Sequence, residues 1–420
     1  RSIGGMPLAS RGRPAAERSA LRFARFDPGP CGFPKPRVSP LPNTPVVPLP
    51  MSWHSQQAGR WATPHFRHFV HGRYALAEAY RLAGVDRDSA FLAPAYHCVT
   101  MLDPALALEG EVHLYPLRAD LAPDPVALDK VLGTIRKPVK ALLATHYFGI
   151  AHDFTALRQW CAERDIVLIE DCSHVLFTEQ FQASGTGSHG RFVVSSPYKF
   201  FACDDGGLLY SADARLLDGL ATESAPLSDE LRGLKRVLEG SRSATLTTSD
   251  IASIDRQLAS LSAKPVVPGN DAITERSVPS SCYSAALATR ASLRSSRFVV
   301  AHSPLNDNIL RRRANYDRWV ESLASVPNCH ALFPVLPRDC APYMFPLHID
   351  HPDPHFYWLK HLGVPIWRWD EMADSGCPIA REYRLHLLHL PCHQALTEDQ
   401  MTWMTTAVAR TLQHVAGAVP

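Results

Sequence analysis

Short apolar runs alternate with stretches of helical apolar spacing between residues 65 and 300. Phe91-Leu92-Ala93, Val112 to Tyr115, Val139 to Thr145, Ile166 to Ile169, Phe192-Val193-Val194 and Leu208-Leu209-Tyr210 are each bounded by turn-forming or polar residues. Runs of that kind predict buried strands. Between them, a periodic stretch opens at Gly72 and continues through Leu82. Pro125 to Ile135 carries proline in its first turn, and Phe154 to Arg164 sets Leu157, Trp160 and Cys161 on one face; all three predict helices. Strand and helix alternating at this spacing predict an α/β fold with a mostly parallel central sheet and flanking helices. Right-handed crossovers would gather Asp171 and the loop at His146 at the carboxyl edge of that sheet, where ligands bind.

The pattern changes on either side. Residues 212–240 read as helical through Leu216, Leu217, Leu220, Leu231, Leu234 and Leu238, residues 241–281 are Ser/Thr-rich, and Ser284 to Leu293 reads as a helix leading out. Beyond about 301 come a helix over Ile309–Leu323, a strand over Tyr343–Ile349, a short helix over Phe356–Leu362 and a capping box at Thr397 and Gln400. This predicts a smaller C-terminal α+β domain, residues 301–420, after a large domain, residues 65–300. Residues 1–64 form an extension whose second half is dense in proline, which fixes φ and removes donors and so predicts extended, flexible chain. The run Arg311-Arg312-Arg313 is expected on a solvated helix face.

Composition narrows the class. Of 420 residues, 46% are hydrophobic and 20% charged, as in a globular protein. A net charge of +2 gives no reason to expect a nucleic-acid partner. The ten cysteines are scattered without a C-x-x-C pair, which points to a reducing cytoplasm rather than a disulfide framework. No apolar stretch approaches the ~18 residues of a membrane span. His65, His68 and His71 could share a helix face, but no carboxylate or cysteine completes a ligand set, so no metal site is assigned.

The informative chemistry lies at two strand ends. Glu170-Asp171-Cys172-Ser173-His174 follows one run, and Ser195-Ser196-Pro197-Tyr198-Lys199 ends the next, ahead of Gly206-Gly207. A lone aspartate at a strand end is usually a turn or cap residue and a lone lysine is usually solvated. Here the lysine is one of eight, against 35 arginines. Together the residues are those that pyridoxal 5'-phosphate (PLP) requires. Lys199 would condense with its aldehyde, Asp171 would face its pyridine nitrogen, and a serine would bind its phosphate.

In that order and frame the residues resemble the DegT/DnrJ/EryC1/StrS family, sugar aminotransferases of the type I PLP fold. The resemblance extends from about 70 to 415 and is strongest over 166–210. In two respects the chain departs from the family: His174 stands where glutamine is usual, and the serine-to-lysine spacing is shorter, leaving Ser195 and Ser196 both open as the phosphate ligand. The resemblance implies a phosphate-binding helix start at Gly72-Arg73-Tyr74 and a ring stacked on the pyridine from Tyr96 or His97, the usual stacking position being Cys98. It further implies that Lys199 acts as base, that His174 braces Asp171 or the ring hydroxyl, and that the protein is a homodimer. The implied reaction moves an amino group from glutamate or glutamine to a keto sugar, nucleotide-linked sugars included, in polysaccharide or secondary-metabolite biosynthesis. A different type I PLP enzyme acting on amino acids, a lyase or desulfurase, and a non-catalytic protein keeping the fold are the alternatives. Asn270 is a candidate for a residue crossing to a partner subunit.

Overall fold

The computed structural model describes residues 63–178, 181–182, 185–238, 245–261 and 277–414. Nearly all of the proline-dense extension, and Asn270, lie outside these. The expected α/β architecture is present. A seven-stranded sheet runs in the order β1-β7-β6-β5-β4-β2-β3. Its strands are β1 (Phe66–Phe69), β2 (Ala90–Pro94), β3 (Glu111–Tyr115), β4 (Val139–Thr145), β5 (Val167–Asp171), β6 (Phe192–Ser195) and β7 (Gly207–Tyr210). From β6 through β5, β4 and β2 to β3 every pair is parallel; β7 is antiparallel to both β6 and β1. Strands buried on both faces read as unbroken apolar runs, which is why these were legible.

Helices α1 (Gly72–Leu82), α2 (Val99–Ala107), α3 (Pro125–Leu132) and α4 (Thr155–Ala162) alternate with the strands. Asp124 caps α3 by accepting from the Val126 N–H, so the proline and the cap together fix its start. His65, His68 and His71 do not share a helix face. Only His68 lies in strand β1 (Phe66–Phe69), His65 preceding it in a turn and His71 following it in an isolated bridge to Gly206.

The stretch 212–240 is broken. A 3₁₀ turn over Ala214–Leu217 gives way to extended backbone at Asp218, and α5 (Leu227–Leu238) begins only after Pro226. Helix α6 (Thr248–Ala259) lies within the Ser/Thr-rich stretch, started by a capping box between Thr247 and Asp250. The exit helix is α7 (Arg294–His302) rather than Ser284 to Leu293.

A second sheet, β10-β9-β8, is antiparallel throughout and formed by β8 (Cys329–Ala331), β9 (Met344–Ile349) and β10 (Leu387–Pro391). Around it lie α8 (Leu305–Leu323), α9 (Pro352–Leu362), α10 (Pro378–His386) and α11 (Glu398–Gln413), the last opened by the Thr397–Gln400 box. Ile254 and Leu258 of α6 share the apolar core of this layer with Trp319, Phe345, Leu390 and Trp403. Its core therefore draws on chain well before residue 301.

Candidate active site

The site is built where β5 and β6 end and α1 begins. Asp171, the last residue of β5, is buried, and its Oδ1 accepts from the Ser173 N–H at 2.8 Å. The Ser173 hydroxyl in turn accepts from Ser196 Oγ at 3.0 Å. Both hydroxyls face Gly72. A Cβ placed there would lie 2.2 Å from Ser196 Oγ and 3.5 Å from Ser173 Oγ. The backbone of residues 71–72 also crosses Gly207 so closely that a Cβ on 207 would lie 2.6 Å from the Gly72 nitrogen. Helix α1 has no side-chain cap and no acidic residue in its first turn. Its unpaired amides and the positive end of its dipole are thus left to an outside anion. Two hydroxyls, a helix N-terminus and a glycine that keeps the cradle open suit a phosphate group.

Lys199 ends a 3₁₀ turn over Pro197–Lys199, three residues past Ser196. Its Nζ lies 5.3 Å from the centre of the Tyr343 ring. Burial lowers its pKa below the ordinary lysine value, although the Asp171 carboxylate pulls the other way. An amine whose protonated form burial disfavours is better suited to act as nucleophile and base.

The lysine's backbone is clamped from the second layer. Arg312 of α8 donates through Nη2 to the carbonyls of Lys199 (2.9 Å) and Phe200 (3.2 Å), and through Nη1 to that of Pro342 (3.1 Å). Its Nε donates to Gln394 Oε1 at 2.8 Å, while Gln394 Nε2 donates to the Phe200 carbonyl at 2.7 Å. Arg312 is 1% exposed, so the arginine run is not a solvated face at its middle residue. A guanidinium whose fork is met by carbonyls can be buried where a lone charge could not. Burial brings its pKa down to about 10.

His174 is buried among rings: 4.6 Å from Tyr343, 5.4 Å from Trp369 and 6.1 Å from Phe148, between centroids. Its Nδ1 has no hydrogen-bond partner among the described residues. Burial, helped by Lys199 and His389, holds its pKa well below the usual histidine value, so the ring is neutral at pH 7. Tyr96 joins the same group. Its hydroxyl lies 2.7 Å from His389 Nε2 and its ring 4.8 Å from Trp369. Burial and the nearby Lys199 bring His389 down to about 3.

The remaining sequence candidates lie elsewhere. Both ring nitrogens of His97 are engaged by backbone: Nδ1 by the carbonyls of Pro94 (3.1 Å) and Ala95 (3.0 Å), Nε2 by the Ala373 N–H (3.2 Å). It braces a turn. Tyr74 accepts from the Ser284 N–H and packs on Tyr283. Arg73 donates to the Cys282 carbonyl, and only its charge reaches Lys199. Ser195 ends β6 opposite Leu208, whereas Ser196 makes the contacts to Ser173 and Gly72. Reading the sequence missed Ser173, Arg312, Tyr343, His389 and Gln394, whereas Trp369 lies in the stretch where the resemblance implies residues of the substrate cleft. Of those missed, only Ser173 had a local signal, its place two residues after Asp171.

A mostly parallel seven-stranded sheet with a carboxylate at one strand end and a lysine beyond the next, followed by a small antiparallel layer, defines the type I fold of PLP-dependent transferases. Residues 68–225 match the model of the DegT/DnrJ/EryC1/StrS aminotransferase family. It is 28% identical over 206 residues to the L-glutamine:2-deoxy-scyllo-inosose aminotransferase of Streptomyces kanamyceticus, covering 44% of this chain and 47% of that protein. The chain thus spans less than half the length of the curated relatives it matches first. Among solved structures, DesI in the presence of its TDP-sugar product superposes with a TM-score of 0.59 at 17% identity, over 94% of this chain and 96% of that one. NtdA of Bacillus subtilis with bound cofactor PMP superposes with a TM-score of 0.56 at 15% identity, over 83% and 73%. At these identities the two structures establish the fold.

Proposed function

We propose that this protein is a PLP-dependent aminotransferase that moves an amino group from glutamate or glutamine to a keto sugar or a related cyclic ketone, nucleotide-linked sugars included. The reading rests on one observation: Asp171, Lys199, His174 and the cradle at Gly72, Ser173 and Ser196 meet at the carboxyl edge of one sheet. When bound, PLP supplies an electron sink for the carbanion formed at the substrate carbon. The amides of α1 with Ser173 and Ser196 would hold its phosphate, and Asp171 would keep the proton on its ring nitrogen. His174, neutral and with Nδ1 available, braces that face of the site. Lys199 Nζ, its charged form disfavoured by burial, takes the proton from the substrate Cα and returns it.

Donor and acceptor come from the relatives' names, which specify L-glutamine with inososes and a dTDP-linked dehydro sugar. A role in polysaccharide or secondary-metabolite biosynthesis, a homodimeric state and a cytoplasmic location complete the reading. In its support, the nine cysteines among the described residues are all free thiols, and no described helix is long and apolar enough to cross a membrane.

The test is to add PLP, reduce with borohydride and map the modified peptide. Attachment at Lys199, with a visible band that glutamine or glutamate bleaches, is expected. Attachment elsewhere, or bleaching by cysteine alone, would overturn the reading.

A further inference from the structure

His330 and His348 are direct partners across the antiparallel pair β8–β9, their rings stacked 4.5 Å apart between centroids. Asp350 follows two residues after His348. One ligand atom from each of the three residues lies within 4.8 Å of the other two.

The protonation pattern makes this group unusual. His348 Nε2 lies 2.9 Å from Glu382 Oε1. A carboxylate only accepts, so Nε2 carries the proton and Nδ1 is left with a lone pair. That Nδ1 is buried, on a residue 7% exposed, and has no hydrogen-bond partner among the described residues. Its nearest charged neighbour is Asp350 Oδ1 at 3.7 Å. An unpartnered ring nitrogen and a carboxylate oxygen thus lie 3.7 Å apart beside a third donor residue, an arrangement that a cation between them would satisfy.

We propose that His330, His348 and Asp350 form a binding site for a borderline divalent transition-metal cation, of which zinc is the type, with Glu382 as the carboxylate that orients His348. Two imidazoles and a carboxylate are a zinc-type ligand set that leaves a fourth position to water. Bonds of about 2.0–2.1 Å in a tetrahedron put ligand atoms about 3.3 Å apart, so the 3.7 Å separation of His348 and Asp350 needs only a small closure. A carboxylate behind the proton-bearing nitrogen is the usual outer partner of a metal-bound histidine. The bound ion would pin β8, a three-residue edge strand, to β9. His146, Glu170 and Cys172 also cluster, but there the Glu170 oxygens already accept from His146 and from the N–H groups of Gly187, His189 and Gly190.

The full chain, free of any added histidine tag and stripped with chelator, is titrated with zinc chloride by calorimetry. One tight zinc per chain is expected. The double variant His330→Ala/Asp350→Asn, both positions exposed and so compatible with folding, should weaken that binding at least 100-fold with an unchanged circular-dichroism spectrum. Glu382→Gln should weaken it about 10–100-fold. Cobalt(II) in place of zinc should give the visible absorption of a low-coordinate nitrogen–oxygen site, absent in the double variant. No zinc binding below about 100 µM by the unmodified chain, or equal binding by the double variant, overturns the proposal. None of these readouts depends on PLP.

Discussion

Glu170 and Asp171 are neighbours on β5, yet the regions around them are organised on opposite terms. Glu170 is saturated. It accepts from His146 Nε2 at 2.9 Å and from the N–H groups of Gly187 (2.6 Å), His189 (2.9 Å) and Gly190 (2.9 Å). Burial raises the cost of its charge, but the hydrogen bonds from His146, His189 and the Gly190 backbone prevail and hold its carboxyl well below the usual range. Asp171, equally buried, has among the described residues the single N–H of Ser173, and beside it stand a desolvated amine and a histidine whose Nδ1 has no partner among those residues. Successive strand residues point to opposite faces, so adjacent positions can serve different ends. A charge met on every side holds a loop in place. A carboxylate left short of partners, amid groups equally short of them, is a place reserved for something else.

That contrast can be broken first at Lys199. Lys199→Ala should abolish the visible cofactor band and all turnover while leaving the thermal midpoint nearly unchanged; a retained band would end the assignment. Asp171→Asn should follow, lowering the rate of band bleaching by an amino donor by ~10²–10⁴, the range for a positioned acid or base; stopped-flow absorbance reads this. Glu170→Ala should do the reverse. Denaturant unfolding should show a loss of about 3–5 kcal/mol, as for breaking a buried pair, while the protein that remains folded still takes up cofactor.

The same difference should appear with pH. The Glu170 pKa is lower in the folded than in the unfolded chain, so its contribution is complete above the unfolded value of about 4.5 and is lost as pH falls below it. Glu170→Ala should therefore flatten the acid limb of a stability–pH curve. The smallest expected effect is at Gly72. Gly72→Ala puts a methyl against Ser196 Oγ, and should weaken PLP binding about 10-fold, ~1.4 kcal/mol, while leaving the affinity for phosphate-free pyridoxal unchanged.

Much of the fold was legible because its signals are local. The strand Val139–Thr145 and the helix Gly72–Leu82 have the limits that their apolar runs imply. Helix α6 was missed because its apolar residues, Ile251, Ile254 and Leu258, are sparse in a polar stretch, and they are fixed by burial against a layer formed over 50 residues later. The pair Asp171 and Lys199 was legible from its frame, two strand ends in succession. The choice between Ser195 and Ser196 was not, since one step along the chain reverses the side a residue faces.

By itself, then, the sequence determined the alternation of strand and helix, the carboxylate and amine at the ends of β5 and β6, and the glycines that let backbone pass closely. Tertiary structure alone decided that Arg312 turns inward to hold the Lys199 carbonyl, 113 residues away, and that His389 meets Tyr96 across 293 residues. It alone set His330 beside His348. The reason is physical. Periodicity reports which face of an element a side chain occupies, whereas the partner waiting at that face is chosen by the packing of layers remote in sequence.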